Sequence, residues 1–338
     1  DLSYNSIKEE GAKDLSAALS HQIPLTNVNL AYNMIAEVGC VAIAEGLERN
    51  RHLTAFNLSG NCIRDEGARS LGQALQTNNT LLTLKLRDNC MRHSGAEYLG
   101  LALCKNDTLT SLDTSLNDMW ERGGGLLAAS LGKNKSLTYL NLSSSGIRNT
   151  QSLATSLSSN ASLTDLDLSS NDIEDVGMEP LAQALEVNKM LQSLNLTFNT
   201  LRNQGALLLA QGLSRNTGLK TVIIEDNHIQ AAGAQHLVDG LQENYTLKVL
   251  DITLNQIGGT ELERLSKILL RNGGVVMTTK NARVDSPFKS AVALTRFRKG
   301  WRDSAAAGIS GQNRFSQALS VMRGEGILNG SLASVGSL

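Results

Sequence analysis

Any catalysis in this chain would have to come from five His, four Cys, a few paired carboxylates, a Ser-rich stretch and one run of Gly. His21, His52, His93, His228 and His236 follow no metal-ligand spacing and fall at unrelated places along the chain. Asp165 and Asp167 alternate along a strand-like segment, which sets them side by side on an open face rather than in the cleft that acid–base catalysis uses. Ser143, Ser144, Ser145, Ser152, Ser156, Ser158 and Ser159 carry no nucleophile motif. Gly123-Gly124-Gly125, after Trp120, lacks the G-x-x-x-x-G-K-[ST] continuation of a phosphate loop and reads as a weakened helix start. Cys40, Cys62, Cys90 and Cys104 include no C-x-x-C pair. Cys62 and Cys90 hold matching places and can lie close; they read as small buried fillers in preference to a disulfide or half a metal site. No catalytic residue, metal ligand or cofactor is expected, so the chain is not expected to be an enzyme.

Binding chemistry fits better, and the elements that would present it repeat. Leu191–Asn199 reads L-Q-S-L-N-L-T-F-N, with Leu191, Leu194 and Leu196 apolar and Asn199 closing the unit. The closing Asn recurs at Asn5, Asn33, Asn61, Asn89, Asn117, Asn171, Asn199, Asn227 and Asn255, with Ser145 in its place once. The steps are 28 residues, except 26 from Ser145 to Asn171. A fixed period of this length, with L-x-x-L-x-L-x-x-N in each unit, marks a leucine-rich-repeat solenoid whose units bury their cores against neighbours.

Within one unit, Leu53, Phe56 and Leu58 point inward while Ala55, Asn57 and Ser59 point outward, because side chains alternate along a strand. Asn61 then turns the chain, and stacked Asn amides can pair backbone groups of neighbouring coils. Ala68, Leu71, Ala74 and Leu75 follow helical spacing, after a recurrent Gly (Gly67 here) suited to tight entry into a close-packed helix. A second Asn series (Asn50, Asn78, Asn106 and onward) ends the helices, where Asn tolerates a left-handed turn. The expected fold is α/β: a leucine-rich-repeat solenoid, or horseshoe, with a curved parallel sheet on the concave side and helices on the convex side.

Long repeats with a full helix and this Gly resemble the ribonuclease-inhibitor type of leucine-rich repeat, over about residues 1–272. Members of that family mostly bind proteins, so the resemblance implies a non-catalytic interaction scaffold. The regular Asn-ended units are similar to ciliary and cytoskeletal leucine-rich-repeat proteins, which implies a structural subunit of such an assembly. Two other roles in the family are the sensor arm of a NOD-like receptor and a GTPase-activating regulator. The latter's acidic tail contrasts with the basic one here.

The outward strand positions define the expected protein-binding face: Lys85, Arg87, Asp113, Asp165, Asp167, Glu225 and Asp251, with Tyr4, Tyr32 and Phe198 at its rim. Charge for steering beside large side chains is what an interface needs; the alternative is that the rim aromatics fold back onto the coil edge. An acidic sheet disfavours nucleic acid. Aromatic residues are 4% of the chain and apolar ones 41%, which suits a core of stacked Leu. Net charge is −1, but from Ala282 onward eight Lys/Arg face three Asp/Glu (+5), leaving 23 against 29 (−6) before it. The division expected is a solenoid over 1–281, truncated at its N-terminus, then basic capping or docking helices over 282–323 and a flexible tail over 324–338. Val275–Asn281 reads as an imperfect last strand. Leu294, Phe297 and Trp301 form an apolar stripe, with Arg296, Lys299 and Arg302 available to an acidic partner. No apolar run is long enough for a membrane span. Asn-x-Ser/Thr sites at Asn57, Asn141 and Asn195 would place glycans on the concave sheet. A cytoplasmic location follows, with the cilium or cytoskeleton as its setting.

Overall fold

The computed structural model describes residues 1–21 and 23–278, all within one unit, Asp1–Thr279. The expected tail helices, with Arg296, Lys299, Arg302 and Trp301, lie outside the described residues. The strands are β1 (Asn27–Asn29), β2 (Ala55–Asn57), β3 (Thr83–Lys85), β4 (Ser111–Asp113) and β5 (Tyr139–Asn141). They continue with β6 (Asp165–Asp167), β7 (Ser193–Asn195), β8 (Thr221–Ile223), β9 (Val249–Asp251) and β10 (Val275–Met277). The helices between them include α1 (Lys8–Ser20), α2 (Ala36–Arg49), α3 (Arg64–Leu75), α4 (His93–Leu103) and α5 (Trp120–Ser130). Then come α6 (Gln151–Leu157), α7 (Asp175–Val187), α8 (Asn203–Arg215), α9 (Ala231–Leu241) and α10 (Gly259–Arg271).

The strands form one sheet in chain order, and each pair is parallel, so Phe56 lies beside Leu84 and Leu84 beside Leu112. Each coil delivers one strand to the sheet and one helix to the row behind it. Strands stack about 4.8 Å apart and helices about 8–10 Å apart, so the row must bend with the sheet on the inside. The core fills the space between: Phe56, Leu84, Leu71 and Leu75 are all buried. The imperfect last strand expected over Val275–Asn281 is present as β10, beside β9.

The two-residue deletion falls on the helix side. Asn141 still pairs with Asp167 across β5 and β6, while α6 shrinks to 7 residues against 11 in α5 and 13 in α7. The strand ladder tolerates no slip, because one residue would turn every side chain to the wrong face. Gly123, Gly124 and Gly125 lie inside α5, and a Cβ on Gly124 would run into Ile147 of the next coil.

Two expectations are corrected in their mechanism. The recurrent Gly sits within the first turn of its helix and serves neighbour contact rather than tight entry: a Cβ on Gly95 would lie 2.8 Å from Asp65 Oδ1 and 3.1 Å from Ala68 Cβ. The helix-ending Asn residues are not left-handed. Asn50 (φ −67°, ψ 138°), Asn188 (−73°, 125°) and Asn216 (−75°, 133°) are extended. Their side chains carry the reason for Asn. Asn78 Nδ2 donates to the carbonyls of Leu47 and Asn50 in the preceding coil (2.9 and 3.1 Å), while Oδ1 accepts from Thr80 and Leu81 N–H (3.1 and 2.9 Å).

Candidate functional site

Behind the sheet face runs the Asn ladder that holds it in register. Asn61 is fully buried. Its Oδ1 accepts from the N–H groups of Asn33 and Ile35 (2.9 and 3.3 Å), and its Nδ2 donates to the carbonyls of Leu30 and Leu58 (2.8 and 2.9 Å). One amide thus satisfies polar groups of two coils that water cannot reach. Ser145 makes a smaller contribution: its hydroxyl donates to the Ser143 carbonyl at 3.4 Å, within its own turn.

The outward column on the sheet carries a second, unexpected regularity. Asp113 Oδ1 accepts from Ser115 N–H (2.9 Å), Asp167 Oδ1 from Ser169 N–H (2.8 Å), and Asp251 Oδ1 from Thr253 N–H (3.0 Å). Asn57, Asn141 and Asn195 do the same for the residue two further on, at 2.8–3.0 Å. These side chains close the turn at the end of each strand, a local use for which Asn and Asp are suited. The column is therefore structural through one oxygen. Its functional content lies in which coils carry Asp, and so a charge, where Asn would close the turn equally well.

Charge concentrates at two places. In the first, Asp113 on β4 and Asp167 on β6 flank Asn141 of β5 in register, and Asp165 lies beside Tyr139. Burial raises the Asp167 carboxyl above the usual range, against hydrogen bonds from Ser169 and Asn195 that favour its charged form, and Asp113 adds to the rise. The Tyr139 hydroxyl is pushed up to about 12 by burial and by the Asp113 and Asp167 carboxylates. Tyr139 had not been singled out from the sequence, although its outward place two residues before Asn141 marks it. In the second, Glu225 is pushed up to about 7, first by burial, then by Asp251 and Asp226, against a hydrogen bond from Thr253. Glu225 and Asp251 are both buried, the latter 3% exposed, so neither offers a freely accessible charge.

The cations sit toward the N-terminal coils. Lys85 is exposed beside Asp113 in register, and Arg87 donates to Ser115 Oγ at 3.3 Å. The rim residues divide. Tyr4 and Tyr32 stack with centroids 4.8 Å apart and planes 13° from parallel. The Tyr32 ring lies against Gly60 of the next coil, where any Cβ would collide with it. Tyr32 thus folds onto the coil edge and Tyr4, 73% exposed, is the face presented outward. Burial raises the Tyr32 hydroxyl above its ordinary range, with Asp88 adding to the rise. Phe198 lies far along the sheet, half-buried, and the structure does not bring it to the tyrosine pair. Tyr4, Tyr32, Leu116, Phe198 and Leu254 all have φ of 57–61°, a left-handed turn position that the alternating pattern does not reveal.

Cys62 and Cys90 are exposed, which corrects the expectation of buried fillers; Cys40 is the buried one. Among the described residues, no group of three His, Cys, Asp or Glu could hold a metal ion, and no helix is long and apolar enough to cross a membrane.

Parallel three-residue strands in strict chain order, a helix in each coil and a buried Asn ladder define a leucine-rich-repeat solenoid. The chain carries leucine-rich repeats: the family described as Leucine Rich repeat matches residues 49–72, 77–100, 133–150, 159–182, 187–210 and 243–265. No curated protein matches. Among solved structures, the chain is similar to leiomodin-1 actin-binding site 2, with 25% identity over 38% of this chain and 77% of that one, at a TM-score of 0.36. It is also similar to the tropomodulin C-terminal domain of Caenorhabditis elegans, with 15% identity over 43% of this chain and 90% of that one, at a TM-score of 0.36.

Proposed function

We propose that this protein is a non-catalytic scaffold that holds another protein against the inner face of its sheet, through a basic segment of that partner. The observation that carries the reading is the Asp113–Tyr139–Asp165–Asp167 group on β4–β6. There three carboxylates surround a half-exposed aromatic ring on a surface of open backbone curvature. Asp113 closes its turn through Oδ1, which leaves Oδ2 to accept a charge-assisted hydrogen bond from Lys or Arg, whereas Asp167 Oδ2 already accepts from Asn195 Nδ2 at 3.1 Å and contributes mainly its charge. Tyr139 supplies the flat apolar contact that anchors interfaces, and a cation over its ring gains further attraction. Tyr4, Tyr32, Lys85 and Arg87 form the N-terminal margin of the same face and Phe198 its C-terminal continuation, where the buried Glu225 and Asp251 add no accessible charge. The long helical repeat supports the ribonuclease-inhibitor subtype. Its regular, Asn-ended period supports a place as a subunit of a cytoskeletal or ciliary assembly, with the basic residues Arg296, Lys299 and Arg302 available to an acidic neighbour.

The test is capture of the native partner by the full chain, followed by its affinity for charge-removed variants. Asp113→Asn and Asp165→Asn keep each side chain's shape and acceptor while removing the charge. Together they should weaken binding at least tenfold and flatten its dependence on salt, with the thermal midpoint unchanged. Full affinity in the double variant would overturn the assignment of the sheet face.

A further inference from the structure

Cys62 and Cys90 are equivalent residues in successive coils, each directly after its ladder Asn, and their sulfurs lie 3.9 Å apart at the surface. The backbone on either side of the pair is fixed. Gly60 N–H donates to the Arg87 carbonyl at 2.9 Å, and Arg64 N–H to the Asn89 carbonyl at 3.0 Å. Asn61 N–H donates to Asn89 Oδ1 at 2.9 Å. Coils held at this ladder spacing, about 5 Å, place the two Cα atoms inside the roughly 4.4–6.8 Å window that a disulfide accepts. The sulfurs need only close to about 2.05 Å, which side-chain rotation can supply without moving the coils. Cys40, by contrast, is sealed in the core and its thiol is pushed up by burial alone, and Cys104 caps the far end of α4.

We propose that Cys62 and Cys90 are a redox-responsive dithiol that closes to an inter-coil disulfide by exchange with a low-molecular-weight disulfide of the glutathione type. The Cys62 thiolate attacks one sulfur of the small disulfide, R–S–S–R. That S–S bond breaks, R–S⁻ leaves and takes a proton from water, and Cys62 carries the mixed disulfide. Cys90 then gives its proton to water and attacks Cys62 Sγ, expelling the second R–S⁻, which is protonated in turn. Two protein thiols are oxidised to one disulfide while one small disulfide is reduced to two thiols, so atoms and electrons balance.

The electrostatics suit the order of the steps. The Cys90 thiol hydrogen-bonds the Cys62 sulfur and lowers the Cys62 thiol to about 7, against burial and Asp88 and with help from Arg64. The same hydrogen bond, with burial, Asp88 and Asp118, raises the Cys90 thiol. One proton therefore leaves the pair easily and the nucleophile is Cys62, since the thiolate is the attacking form. Once Cys62 is capped as a mixed disulfide, the sulfur whose negative charge opposed ionisation of Cys90 is neutral, which frees Cys90 for the second step.

The experiment incubates the full-length chain with glutathione disulfide, quenches in acid, and reads thiol number, intact mass and peptide linkage under denaturing conditions. The expected result is loss of two of the four thiols, a mass lower by two hydrogens, and a dithiothreitol-reversible cross-link joining the Cys62 and Cys90 peptides. Cys90→Ser should instead accumulate a stable glutathione adduct on Cys62, and Cys40→Ser should leave the cross-link intact. Four unchanged thiols would refute the proposal, as would separate glutathione adducts on both cysteines of the unsubstituted chain.

Discussion

One buried amide, that of Asn199, ties the backbones of two coils together. Asn199 Nδ2 donates to the carbonyls of Leu168 and Leu196 (3.1 and 2.9 Å), and Oδ1 accepts from Asn171 and Ile173 N–H (3.2 and 2.9 Å). Asn199→Ala leaves those buried groups unpaired, and urea denaturation should show a loss of about 1–3 kcal/mol or more. Glu225 gives a pH-dependent counterpart. Its folded pKa, about 7, lies above the 4.5 of an ordinary Glu, so the folded state binds its proton more tightly than the unfolded state. Its stabilising protonation is complete below 4.5 and lost as pH rises through 4.5 to 7. Glu225→Gln keeps the acceptor without the charge. It should raise the thermal midpoint at pH 8 and leave it unchanged at pH 4; equal midpoints at both would show that Glu225 is not desolvated. The Asn pattern was legible in the sequence because the hydrogen-bonding demand repeats with each coil. The desolvation of Glu225 was not, because it depends on Asp251 and Thr253 of the next coil.

At the scale of the element, helices in this chain are completed by their neighbours. Asp65 Oδ1 on α3 accepts from Arg92 and Gly95 N–H at the start of α4 (2.7 and 2.9 Å), and Asp175 does the same for Arg202 and Gly205 at the start of α8 (both 2.8 Å). For α4 and α8 the N-cap thus comes from the preceding coil, and neither helix carries a side-chain cap on its own N-cap residue. Asp65→Ala should cost about 1 kcal/mol, the usual loss of an N-cap, and should speed amide exchange in the first turn of α4. An effect confined to α3, which carries the Asp, would contradict a cap delivered across coils. The shortened coil is the other element-level weakness. With α6 reduced to 7 residues and Ser145 in the ladder, hydrogen exchange should find its lowest protection between Ser145 and Asn160 among the interior coils. Protection there equal to that of α7 would count against a weak joint.

For the described unit as a whole, each coil buries its core only against the next, so the coils should unfold in one cooperative transition. Asn199→Ala and Asp65→Ala lie several coils apart, yet both should lower the same midpoint. Two resolved transitions would show that α6 divides the solenoid into independent halves. The proposed binding also belongs to the sheet rather than to one coil, since it requires the carboxylates of β4 and β6 to act together across β5. Their attraction for a cationic partner acts over about one Debye length, roughly 8 Å in physiological salt, so affinity should fall steadily as salt is raised.

The repeat, the coil length, the inward Leu positions, the Asn ladder and the place of the two-residue deletion are legible in the residue pattern alone. Each is dictated by a local requirement: alternation along a strand, helical spacing, or a buried backbone group needing a partner. What lies between coils emerges only once the coils are stacked. Asp113, Asp167 and Asp251 look like free surface charges in the sequence but close the turns that follow their strands. The helix-ending Asn is extended because its amide, rather than its backbone, is what the position uses. Tyr32 is covered through Gly60, Tyr4 is left outside, and Cys62 meets Cys90 at the surface. All of these depend on which residue the neighbouring coil sets at stacking distance, a relation 28 residues away in the chain and a few ångströms away in space.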